Sequence, residues 1–107
     1  MSDLSSIEKR KLERLFCMGS GYVLNFSDRT FRNFFEENYI DDERCKINGT
    51  SKANRLRTFW KIADNYTVGK IIEQMIFYGQ EEGCLYADGD IRDLSHDCFS
   101  IAQKFSL

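Results

Sequence analysis

Hydrophobic positions recur along this chain at helical spacing, broken by short polar or glycine-containing stretches, and the clearest such stretch is Thr50–Ala63, TSKANRLRTFWKIA. At about 100° per residue, Ala53, Leu56, Phe59, Trp60 and Ala63 fall within an arc of roughly 120°, one stripe that anchors a core. Lys52 and Arg55 flank the stripe on one side, and Arg57 and Lys61 lie on the other side and behind. Thr50 or Ser51 supplies the cap.

Ahead of this helix the pattern predicts two more. The first runs from a Ser5 or Ser6 cap to about Cys17, after a loose start at Met1–Ser5. Glu8 sits in its opening turn, where the macrodipole favours acid. Leu4, Ile7, Leu12, Leu15 and Phe16 form its apolar side, and Lys9, Arg10, Lys11 and Arg14 read as solvated surface. Met18-Gly19-Ser20-Gly21 breaks it, one glycine taking the left-handed cap position, and Tyr22-Val23-Leu24 is a short apolar connector. Ser27 or Asp28 caps the second helix. Phe31, Phe34, Phe35 and Tyr39 recur there at the i, i+3, i+4, i+8 spacing of a core face. Ile40–Gly49 reads as a loop that turns at Asn48-Gly49.

Two further helices follow. Asn65 caps Tyr66–Tyr78, whose wide apolar face comprises Val68, Ile71, Ile72, Met75, Phe77 and Tyr78. Gly69 permits close approach of a neighbour, and Gly79 is the expected stop. Cys84-Leu85-Tyr86 reads as an apolar strap. Asp88-Gly89-Asp90 reads as a turn with an N-cap, since the later oxygen ligands of a calcium loop are missing. The last helix, Asp90–Phe105, has Ile91, Leu94, Cys98, Ile101, Ala102 and Phe105 in phase. The expected fold is therefore all-α, a compact five- to six-helix bundle forming one domain over residues 1–107. It can equally be the N-terminal piece of a longer protein.

Composition supports a packed core: 42% of residues are apolar and 14% aromatic, with nine Phe, five Tyr and one Trp. A disordered chain lacks this aromatic content. With no proline, no ring forces a helix to stop. The four cysteines, at 17, 45, 84 and 98, show no metal-ligand spacing. Cys17 and Cys98 fall at apolar-phase positions and read as small core residues, and the set Cys84, His96 and Cys98 is a poor metal site. No apolar run approaches a signal peptide or a membrane span. The expected setting is a reduced cytoplasm, with no membrane partner and no cofactor.

Catalysis is not expected of this chain. Ser95-His96-Asp97 are consecutive, so on a helix they point about 100° apart and cannot form a triad. The glycines at 19 and 21 lack the preceding strand and the lysine of a phosphate loop.

Charge changes the picture more. The net charge is only −2, but its distribution is uneven. Residues 36–43, EENYIDDE, carry five acids; Arg44–Lys61 holds six basic residues and no acid; Glu81–Asp97 carries six acids against Arg92. A bundle with separate basic and acidic faces can associate head to tail, and because the faces differ the contact is heterologous. The expected contact residues are Lys52, Arg55, Arg57, Lys61 and Lys70 on the basic side, with Glu36, Glu37 and Asp41 on the acidic side. A small nucleic-acid-binding helical domain is the alternative reading of the same basic block.

The stretches GSGYVLNFSDRTFRNFF at 19–35 and GTSKANRLRTFWKIADNYTVGKIIEQMI at 49–76 resemble a small bacterial domain at the front of multidomain defence proteins. That domain is of the abortive-infection, effector-associated type, some members of which are similar to death-fold adaptors. Residues 81–107 lie outside the resemblance. It implies an all-helical recruitment or assembly domain of an antiviral or stress-response system, with catalysis delegated to a fused or partnered effector. No catalytic residue is carried over by it.

Overall fold

Each of the first four helices begins where a short polar side chain takes up orphan amides. The computed structural model describes residues 2–86 and 91–105; the turn read at Asp88-Gly89-Asp90 lies outside them. Ser5 caps α1 (Ser6–Leu15). Its hydroxyl accepts from the Glu8 amide at 3.1 Å while the Glu8 carboxylate accepts from the Ser5 amide at 2.9 Å. This reciprocal pairing is a capping box. Ser27 caps α2 (Asp28–Glu37) and Ser51 caps α3 (Lys52–Ile62), each accepting an amide at 3.1 Å. Asp64, one residue ahead of the expected Asn65, caps α4 (Asn65–Glu82) by accepting from the Thr67 amide at 2.8 Å. α5 spans Ile91–Phe105. The bundle is all-helical, with no strand among the described residues.

Four local expectations are corrected. Residues 40–49 are not an irregular loop: Asp42–Asn48 winds as a 3-10 segment, capped by the Asp41 carboxylate and burying Asp42 and Cys45. α4 passes through Gly79 and ends at Gly83, which takes the left-handed conformation (φ +65°). Gly79 serves packing instead, because a Cβ there would lie 2.4 Å from Leu85 Cδ2. Cys17 is exposed, not core; it sits at φ +55° where the chain leaves α1 for a short 3-10 segment at Met18–Ser20. The start of the chain is clipped down: Leu4 is buried, the Asp3 amide donates to Asn65 Oδ1 at 2.7 Å, and the Ser2 hydroxyl donates to the Trp60 carbonyl.

The core lies where the apolar stripes meet. Leu12, Leu15, Phe16, Phe31, Phe35, Leu56, Phe59, Trp60, Ile71, Ile72 and Met75 are all buried. An aromatic relay crosses it: Tyr78 stacks on Phe26 (centroids 4.3 Å), then Phe31 (5.6 Å), Phe35 (4.6 Å) and Phe59 (5.3 Å). α5 closes the bundle against α4 and α1, burying Leu94, Cys98, Ile101, Ala102 and Phe105. Gly69 makes the close approach expected of it, since a Cβ there would stand 2.8 Å from both the Ala102 carbonyl oxygen and Phe105 Cβ. A radius of gyration of 12.5 Å matches the ~13 Å of a folded 100-residue domain.

Candidate interaction surface

The basic block does not stay together at the surface. Arg55 is only 3% exposed: Nη1 donates to Asp42 Oδ2 at 2.8 Å and Nη2 to Asp28 Oδ1 at 2.5 Å, with the guanidinium over the Phe31 ring. Lys52 is 9% exposed, its Nζ 4.0 Å from Asp28 Oδ1 and over the Tyr22 ring. Neither is an exposed contact residue as the wheel of α3 suggested. The acids of residues 28 and 42, on the elements before α3, fold onto its basic side and neutralise it. Arg57 remains partly exposed, held by Glu13 (2.7 Å) and Asn54 (3.0 Å). Lys61 and Lys70 are exposed with no ion-pair partner among the described residues, but stand on different helices. Glu36, Glu37 and Asp41 are exposed around the end of α2.

What the fold brings together is a cleft of about 530 Å³ between α1, α3 and the strap after α4. Arg10, Glu13, Arg14 and Cys17 line it at i, i+3, i+4, i+7 spacing, one face of α1 and its end. Arg57 enters from α3, Met18 and Gly19 contribute from the first 3-10 segment, and Tyr86 closes one side. The Tyr86 amide donates to the Leu15 carbonyl at 3.0 Å, which fixes the strap against α1. Arg10 and Arg14 are exposed and have no ion-pair partner among the described residues. Sequence reasoning passed over both as solvated surface; the signal present was their shared face with Cys17 just ahead of a glycine break.

No known family model, curated protein or solved structure matches the chain.

Tyr39 departs furthest from expectation. It is 94% exposed, not core, and has φ +63°. Its amide donates to the Glu36 carbonyl (3.0 Å) and the Ile40 amide donates to the Phe35 carbonyl (2.9 Å). Those two bonds form a Schellman motif with Tyr39 at C′, and the half-buried Ile40 packs back on the core as the motif's apolar partner. The left-handed turn ends the core face before Tyr39 and turns its ring out to solvent, beside a shallow groove lined by Asp41 and Arg44.

A second, apolar groove of about 490 Å³ lies between α4 and α5, lined by Phe77, Phe99 and Leu85 with His96 at its side. Leu85 and Ser95 of its lining lie on either side of the stretch outside the described residues. His96 is exposed while Cys98 is buried, so α5 presents them in different directions. All four cysteines are free thiols. Burial pushes the Cys98 thiol up to about 12 and that of Cys45 to about 11, in both cases with nearby carboxylates adding to the effect. Neither is a nucleophile at neutral pH. No helix among the described residues is long and apolar enough to cross a membrane.

Proposed function

We propose that this domain is a protein–protein interaction module that recruits or assembles an effector in a prokaryotic antiviral or stress-response system, acting in the cytoplasm. The observation that carries the reading is the arginine-lined cleft. Two guanidiniums there have no ion-pair partner among the described residues, and a third is held half-exposed by Glu13. Arginine is enriched at interface hot spots, and its planar fork pairs with carboxylates in a bidentate manner. Met18 and Tyr86 add apolar contact beside the charge. The resemblance of residues 19–35 and 49–76 to defence-protein domains supplies the biological setting, with catalysis assigned to a fused or partnered effector.

Three arginines around one cleft also suit phosphates, the alternative nucleic-acid reading. Glu13 lowers the cleft's positive charge equally for either partner, and the apolar surface of Met18 beside the arginines favours the protein reading. The test is a titration of the protein with an acidic polypeptide, poly(Glu,Tyr), and with mixed-sequence DNA and RNA, between about 50 and 200 mM salt. The expected result is polypeptide binding that Arg10→Glu with Arg14→Glu weakens at least ~10-fold. Stability should move by no more than ~0.5 kcal/mol, as for other exposed substitutions. Nucleic-acid binding with a steep salt dependence, and none to the polypeptide, would instead place phosphates in the cleft.

A further inference from the structure

Tyr39 occupies a position where folding alone selects against it. The C′ residue of a Schellman motif needs the left-handed conformation, which glycine adopts freely and a side chain with a Cβ adopts at a cost. Asparagine is the usual second choice. Here a bulky aromatic takes that position and gains nothing from the core, being 94% exposed. Cys17 and Leu24 also take positive φ, but of these three only Tyr39 carries a large, almost fully exposed side chain, and that combination points to a use outside the fold. The turn projects the ring into solvent at the end of α2, which also carries exposed Glu36 and Glu37, and Asp41 and Arg44 line the shallow groove beside it.

The cleft has the complementary character: Arg10 and Arg14, with Arg57 paired to Glu13, stand beside the apolar surface of Met18 and Tyr86 and leave a net positive charge. A guanidinium stacks on a tyrosine face as readily as it pairs with a carboxylate. Tyrosine is also among the residues most enriched at interfaces, offering large contact area for few rotatable bonds. Knob and cleft share no residue, so one molecule can use both at once.

We propose that the cleft's partner is a second copy of this chain, whose Tyr39 knob seats among Arg10, Arg14 and Arg57, with Glu36, Glu37 and Asp41 meeting the arginines. This rests on the reading of the cleft as a protein-binding site. The contact is head to tail, so it propagates into rings or open filaments and does not stop at a symmetric dimer.

Sedimentation velocity across a concentration series tests it. The wild type should grow past dimer as concentration rises, and less so at high salt. Tyr39→Gly removes the knob but keeps the cleft, and installs the residue that C′ favours, so the fold is preserved. Arg14→Glu removes the cleft's charge but keeps the knob. Each alone should self-associate about 30-fold more weakly, the size of a hot-spot loss. An equimolar mixture of the two should form heterodimers and nothing larger, because each pair has a single working contact. A wild type that stays monomeric throughout, a Tyr39→Gly variant that assembles like wild type, or a mixture that remains monomeric overturns the proposal. If poly(Glu,Tyr) still binds the monomeric wild type and is lost on Arg14→Glu, only the self-partner is wrong; if it does not bind, the interaction-module reading fails as well.

Discussion

Arg55 is the residue whose role changes most between sequence and structure. On the wheel of α3 it is one of several cations beside the buried stripe; in the fold it is a buried cation between Asp42, 2% exposed, and Asp28. Truncating one member of such a pair leaves the other charge buried and alone, which costs about 3–5 kcal/mol. Arg55→Ala should therefore lower the unfolding free energy obtained from urea titration by an amount in that range, whereas Arg55→Met combined with Asp42→Leu should recover most of it. Buried Asp42 Oδ1 and Arg55 Nε lack hydrogen-bond partners among the described residues, so the pair is incompletely satisfied and the apolar double variant has less to lose. A loss as large in the double variant as in Arg55→Ala would show that the pairing is not what Arg55 contributes. Tyr39 changes role in the opposite direction, from expected core to exposed knob. Its apolar phase was legible; the left-handed turn that ejects it depends on Ile40 finding the core.

At the scale of elements, glycines mark where helices touch and not only where they end. Gly69 lets α4 meet α5, and the atoms a Cβ would strike at 2.8 Å include a backbone carbonyl that cannot swing aside. Gly69→Ala should cost ~1–3 kcal/mol by forcing the helices apart. Gly79→Ala should cost less, because the atoms closest to its Cβ, Leu85 Cδ2 and Cγ, belong to a flexible side chain and not to backbone. Thermal melts of the two variants check the order, and equal losses would contradict the close α4–α5 contact. The caps at Ser5, Ser27 and Ser51 were readable because capping is local chemistry. The 3-10 segment at Asp42–Asn48 was not, since its two inward residues include a charge whose partner lies 13 positions on.

Across the whole molecule, ion pairs join the first helix to the last. Lys104 reaches Glu8 at 2.5 Å and Lys11 reaches Asp97 at 3.0 Å. Burial of Glu8 alone raises its pKa, but Lys104 and the Ser5 cap together outweigh it and hold the carboxyl below its ordinary value of 4.5. A depressed folded-state pKa stabilises the native state above the unfolded value, and that contribution fades as pH falls from about 4.5 through the folded value. Glu8→Gln should accordingly show a shallower loss of stability on acidification below about pH 4.5 than the wild type, read from denaturant midpoints. Identical acid slopes would mean that the tether contributes no pH-dependent stability.

Periodicity and capping residues are local properties, and they determined on their own the all-α class, the start of the first three helices and the apolar stripes through Leu12, Phe31, Leu56, Ile72 and Cys98. Which charges stay at the surface is not local. Asp28 and Asp42 reach Arg55 only after α2 and the 3-10 segment dock on α3, while Arg10, Arg14 and Arg57, on two helices far apart in the chain, share a cleft only once those helices pack. A helical wheel shows which way a side chain points. What stands opposite it is decided by the packing of the rest of the molecule.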